Sequence, residues 1–468
     1  MNRQHCSMPP TQTEELTLPL TPEGEPKLVD CDDVLPKSEE LLLPLSPLDA
    51  MMHKLGVVQL YIFPSASNSA GYDLKKLQDS FITLVNEDYP ILIGELCIDP
   101  QTGLVSVKQT TEARQQGAQG IRFETESSSS MTTETAMETL SWELMPTPRG
   151  PTELICVKGT LLSDGGLVIG VDISHTLLDG EGMFTFIRVW GQHYSGVAKE
   201  NRLVINHDRH LLNGTGSSTM FHSEFQLVDI QFLVENNNAV SAPVPPPTSQ
   251  HRFHFTPEMM KGIKKVATQE EPVAMSDPKY VSTIDAITGL FTALISKARG
   301  HGQDVQVTTA VNARGRLHPP MPPNYAGNVI FSALSSYKSH ELETEPSSLV
   351  KLAQRVRGSI RQSDNEYLRD AINFITEQKN LSAIQPATNF VFGPDIMYTS
   401  WVRTGMYDAE FDGMRPSFVS VPPLPLDSFV ILSEPKQNMP GVDVLVFLES
   451  TAMEKLKELY AKVTYLHG

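Results

Sequence analysis

Apolar positions in "LKKLQDSFITLVNEDYP" recur at helical spacing: Leu74, Leu77, Phe81, Leu84 and Val85 share one face, and Pro90 stops the run. Short apolar runs follow at Ile91 to Ile98 and at Leu154 to Leu161, each bounded by turn residues and read as strands. In "GGLVIGVDIS" the pattern is again that of a strand, whereas Met183, Phe186, Ile187 and Trp190 fall on one helical face. The intervening "HTLLDG" is therefore a connecting loop, and His175 stands at the end of a strand.

Periodicity fails between about 206 and 250, where "ENNNAVSAPVPPPTSQ" suits neither helix nor sheet. It resumes with alternating "HRFHF", a helix from Thr256 and another near Ser282. A hairpin from Phe429 to Leu448 comes next, then a last helix expected to open with a capping box, Thr451 to Glu454. Alternating strands and helices in both halves predict an α/β protein of two lobes, each with a mixed sheet flanked by helices. The expected divisions are an acidic, poorly ordered tail (1–40), a first lobe (41–205), a crossover (206–250) and a second lobe (251–468).

Composition narrows the function. The chain has 468 residues, 40% hydrophobic and 20% charged, as expected of a folded two-domain protein. A formal charge of -18 disfavours nucleic acid and anionic membranes as partners. Cys6, Cys31, Cys97 and Cys156 are scattered without a paired spacing, so reduced thiols and a cytoplasmic location are expected. No apolar run is long enough to span a bilayer.

The chemistry centres on "ISHTLLDGEG" (173–182). A metal site would need more ligands than His175 and Asp179 supply, and no metal is expected. Ser174 adjoins His175 on an extended strand, so its hydroxyl points away from the ring and no serine-hydrolase pair forms. What remains is a lone imidazole as general base, since a histidine side chain ordinarily titrates at about 6.5. Such a base needs an acceptor hydroxyl or amine and an electrophile already open to attack, and a thioester fits. Asp179 reads either as a carboxylate orienting the ring or, the favoured reading, as one turned toward a distant arginine or the helix amides.

Several further stretches go with this motif: "LPLSPLD" (43–49), "LYIFP" (60–64), "YPILIGEL" (89–96), "NARGRLHPPMPPNYAGNVIF" (312–331), "EYLRDAINF" (366–374) and "YTSWVRTGMYDAEFDGMRP" (398–416). Together with His-x-x-x-Asp-Gly, the chain resembles the BAHD acyltransferases over nearly its whole length from Leu43, and most of all their hydroxycinnamoyl-transferring branch.

The resemblance implies a chloramphenicol-acetyltransferase-like pair of similar-sized lobes with a solvent channel between them. Acyl-coenzyme A would be a co-substrate with no tightly bound cofactor, the acceptor a small specialised metabolite, and the protein a monomer. His175 would be the base, with Asp179 and Gly180 structural and Arg314 or Arg316 the salt-bridge partner. The Trp401 indole N–H and Thr399 hydroxyl would hold the developing oxyanion.

Two departures stand out. The family's Asp-Phe-Gly-Trp-Gly is here Glu410-Phe411-Asp412-Gly413-Met414, which motivates an alternative reading as a non-catalytic relative acting through a partner enzyme. Where the shikimate-using branch has an arginine upstream of the Trp segment, this chain has Pro386, which disfavours a carboxylated acceptor.

Overall fold

The computed structural model describes residues 40–66, 71–229, 245–268 and 280–466. The expected tail lies outside them apart from Glu40, and so do residues 235–244 of the Pro-rich segment. Cys6 and Cys31 also lie outside, while Cys97 and Cys156 are free thiols.

Two mixed sheets organise the described chain. The first has five strands in the order Phe418–Ser420, Gly56–Phe63, Leu167–Ser174, Ile155–Leu161 and Phe123–Glu126, antiparallel except for the last pair. On one face lie the helices Leu74–Asp88 and Gly180–Tyr194, which bury Phe81, Phe186 and Trp190, and the other face is covered by Ala136, Leu140 and Leu144. The second sheet has six strands, Ile330–Tyr337, Val305–Asn312, Ile396–Ser400, Phe429–Ser433, Val442–Glu449 and Thr248–Phe255, whose central pairs are parallel and outer pairs antiparallel. Helix Thr283–Arg299 packs against this sheet's core, and its capping box at Ser282 and αL Gly300 account for both of its ends.

Four local expectations need correction. Residues 91–98 are not one strand: Pro90–Leu92 forms a 3₁₀ turn and the strand is only Glu95–Ile98, since Pro90 starts a helical turn as readily as it ends one. The last helix is capped by the Glu449 carboxylate, which accepts from the N–H groups of Thr451 and Ala452, rather than by Thr451. The crossover contains strand Phe225–Leu227, paired with Ile384–Pro386, and the strand Thr248–Phe255 begins inside it. The expected second lobe gives Phe418–Ser420 to the first sheet, and Phe411, Met406 and Leu368 to the first core, because the first sheet's outer edge at Gly56–Phe63 needs a partner.

The crossover is held down by a charged cluster. His222 is buried between the carboxylates of Glu224 (Nδ1 to Oε1, 3.3 Å) and Asp370 (Nε2 to Oδ2, 3.0 Å), the Tyr367 hydroxyl donates to Glu224, and Asp370 also accepts from Ser218, Thr219 and Met220. Burial alone pushes the His222 ring down, but the hydrogen bonds and charges of Glu224 and Asp370 outweigh it and raise its pKa. Asp370 is held below the usual carboxylate range: burial pushes it up, and hydrogen bonds from Thr219, His222 and Ser218 more than offset that. Because the folded pKa of His222 is raised, its contribution to stability is full below the unfolded value of about 6.5 and is lost as pH rises through the folded value. The contribution of Asp370, with its lowered pKa, is present above about 3.9 and is lost only in stronger acid. The stability advantage of the wild type over His222→Gln should thus shrink as pH rises above about 6.5 in thermal melts; a difference constant with pH would refute the charged form of the latch.

Candidate active site

The strand Leu167–Ser174 delivers His175 at its C-terminal end, and the loop 175–179 feeds the helix Gly180–Tyr194. The His175 N–H donates to the Leu55 carbonyl (3.0 Å), fixing the loop to the start of the neighbouring strand. Its ring is only partly buried. Nδ1 lies 3.0 Å from Asn328 Oδ1, and among the described residues Nε2 has no protein partner.

Asp179 is the N-cap of the site helix, Oδ1 accepting from the Gly182 N–H at 3.0 Å. The same carboxylate receives both ends of the Arg314 guanidinium, at 2.7 and 2.9 Å, and the Val329 N–H at 3.0 Å. Its side chain is 0% exposed, and it is committed to four donors. Of the two readings left open for Asp179, the geometry is that of the arginine and helix amides together. Arg314 further donates to the Tyr325 and Gly327 carbonyls, so it straps the helix start to the chain before Asn328. Arg316 lies elsewhere and caps the carbonyls of Ile360 and Ser363 at the end of the helix Pro346–Gln362.

Trp401 follows the central strand Ile396–Ser400 of the second sheet, its N–H bonded to the Leu432 carbonyl at 2.7 Å. Its indole reaches the start of the site helix: it meets Phe184 edge to face (5.8 Å), and a Cβ added to Gly180 would lie 3.4 Å from Nε1. Glycine at 180 therefore keeps the helix start open beside the indole. Tyr398 is buried in the second core, so alternation turns Thr399 to the opposite face of the sheet, where Trp401 packs with Ile431 and Phe447. Thr399 Oγ1 and Trp401 Nε1 have no protein hydrogen-bond partner among the described residues.

The altered segment forms an ordered turn. Phe411 and Met414 exchange two backbone hydrogen bonds (2.9 and 3.1 Å), with φ of 50° at Asp412 and 79° at Gly413. Positive φ at both central residues is what an Asp-Gly hairpin turn requires, a signal legible in the sequence but not drawn from it. Phe411 is buried among Phe63, Trp190 and Tyr194, and Asp412 pairs with Lys76 while Glu410 pairs with Arg415. A Cβ on Gly191 of the site helix would come within 2.4 Å of the Glu410 carbonyl oxygen, so the turn is seated directly on that helix. The departure in sequence thus coexists with a packed segment.

Sequence reasoning did not single out Asn328 or the buried pair behind it, Asp49 and Arg209. Both Asn328 and Asp49 lie in stretches quoted for the family likeness, yet no periodicity or spacing marks them.

Comparison with known proteins gives this geometry its class. The model of the Transferase family matches residues 33–462, and the chain belongs to that family, the BAHD acyltransferases. It is similar to a hydroxycinnamoyltransferase of Narcissus pseudonarcissus, 27% identical over 318 residues that cover 66% of this chain and 70% of the relative. Against agmatine coumaroyltransferase-1 of Hordeum vulgare the identity is 28% over 319 residues, with coverage of 66% and 70%. Among solved structures, F. graminearum TRI101 in complex with coenzyme A and deoxynivalenol superposes with a TM-score of 0.74 at 18% identity, covering 91% of this chain and 98% of that one. Vinorine synthase superposes with a TM-score of 0.63 at 17% identity, covering 90% and 97%. The protein is an acyltransferase. Among the described residues no helix is long and apolar enough to cross a membrane.

Proposed function

We propose that the protein transfers an acyl group, hydroxycinnamoyl or a related aromatic or aliphatic acid, from a coenzyme A thioester to a hydroxyl or amine of a small specialised metabolite. The observation that bears most weight is His175: partly exposed, anchored through Nδ1 to Asn328, and with Nε2 uncommitted. Nε2 takes the proton of the acceptor as its oxygen or nitrogen attacks the thioester carbonyl. The tetrahedral oxyanion collapses by breaking the C–S bond, and the departing thiolate recovers the proton from Nε2. No side chain becomes acylated. Thioester use is supported by the family, by the coenzyme A named in the TRI101 complex and by the coumaroyl and hydroxycinnamoyl transfer named for the relatives.

Trp401 Nε1 and Thr399 Oγ1, both without protein partners, are the proposed donors to the oxyanion. Trp401→Phe keeps an aromatic ring beside Phe184 and removes the N–H together with part of the indole. It should lower kcat by about 10²–10³-fold with KM little changed. A kcat within threefold of wild type would remove Trp401 from this role.

On the acceptor side, Pro386 sits in a short strand paired to Phe225 and offers no positive charge, which favours an acceptor without a carboxylate. The reaction class is tested by incubating the protein with pooled acyl-coenzyme A thioesters and a metabolite extract, following free thiol and product mass. Release of coenzyme A matched by an acylated product is expected. The absence of both thiol release and calorimetric binding of coenzyme A would overturn the proposal.

A further inference from the structure

The base in this site has a definite tautomer, and the structure shows what selects it. Asn328 is wholly buried, and its Nδ2 group faces two acceptors, Asp49 Oδ1 at 2.8 Å and the His175 carbonyl oxygen at 2.8 Å. Neither can donate in return, because Asp49 Oδ1 already accepts from the Asn328 N–H (2.9 Å) and from Arg209 (3.3 Å). The other end of the amide, Oδ1, must then face His175 Nδ1, and an amide oxygen only accepts. A neutral His175 must therefore carry its proton on Nδ1, leaving the Nε2 lone pair for the acceptor.

Asp49 itself is fully buried and rigidly held. Its Oδ2 accepts from the Ser46 N–H (3.0 Å), the Ser46 hydroxyl (2.8 Å) and Arg209 (3.2 Å). Arg209 also donates to the Leu177 carbonyl at 3.0 Å, inside the loop that bears His175. The carboxylate thus stands one amide away from the imidazole and cannot turn.

We propose that Asp49, clamped by Arg209, is a positioning residue: it fixes the direction of the Asn328 amide and through it the Nδ1–H tautomer of His175. This inference rests on His175 as the general base, so its test reads the tautomer separately from turnover.

The experiment is ¹⁵N NMR of histidine-labelled protein, with the His175 signals assigned by their loss in His175→Gln. Wild type should show a protonated Nδ1 and a bare Nε2. Asp49→Asn should give a mixed tautomer and a kcat at least about tenfold lower, with KM for both substrates within twofold. Should that variant not fold because Arg209 is left unpaired, Asp49→Asn with Arg209→Met removes both buried charges and is read the same way. A folded variant in which His175 keeps a single Nδ1–H form would overturn the assignment. A mixed tautomer with undiminished kcat would leave Asp49 as the selector and instead sink the general-base reading.

Discussion

Substituting His175 by alanine is expected to lower kcat by about 10²–10⁴-fold, the range over which a positioned proton acceptor contributes. The loss should fall on kcat rather than on coenzyme A binding, since the ring's hydrogen bond to Asn328 is made by Nδ1, on the side away from Nε2. Stability should change little, because the residue is only partly buried and its backbone N–H keeps the Leu55 carbonyl. The measurement is steady-state kinetics on a verified acyl donor and acceptor, with calorimetric coenzyme A binding as control. Near wild-type transfer by this variant would end the mechanism proposed above.

The second large effect is on stability and concerns Asp179. Its carboxylate and the Arg314 guanidinium are side chains of 0% and 11% exposure, bonded at two points. Asp179→Ala strands a buried cation and frees the Gly182 and Val329 amides, so a loss of about 3–5 kcal/mol is expected. The double change Asp179→Ala with Arg314→Met should recover part of it, because removing both buried charges avoids the uncompensated one. Urea denaturation midpoints of the two variants decide the point: a single-variant loss under 1 kcal/mol would show the pair to be dispensable. If Asp179 instead sat in the proton path, the folded double variant would be as inactive as His175→Ala.

The contrast between these residues shows what the sequence makes legible. Helix 74–88 could be read because five apolar residues repeat at its own period, and the strand before His175 because nothing polar interrupts it until Asp172. The two roles open to Asp179 could be named because both follow from a carboxylate just before a helix. Choosing Arg314 over Arg316 could not be done from spacing, since the two stand two residues apart and the tertiary fold sends one to the helix start and the other to a helix end. Asn328 and Asp49 were out of reach for a related reason. They lie 279 residues apart, and what they do depends on a hydrogen bond that exists only once both lobes are assembled. The cap of the last helix failed more simply, because Glu449 finishes a strand and starts a helix at once.

The loan of Phe418–Ser420 to the first sheet bears on the order in which the chain leaves the ribosome. His175 and all but one of that sheet's strands emerge in the first 175 residues, yet the missing strand is some 240 residues behind. Until it arrives, the strand Gly56–Phe63 presents an open ladder, a template for unwanted pairing with other chains. Nascent protein should accordingly depend on chaperones until Phe418–Ser420 has been made, and fragments ending before Phe418 should aggregate instead of yielding an isolated half.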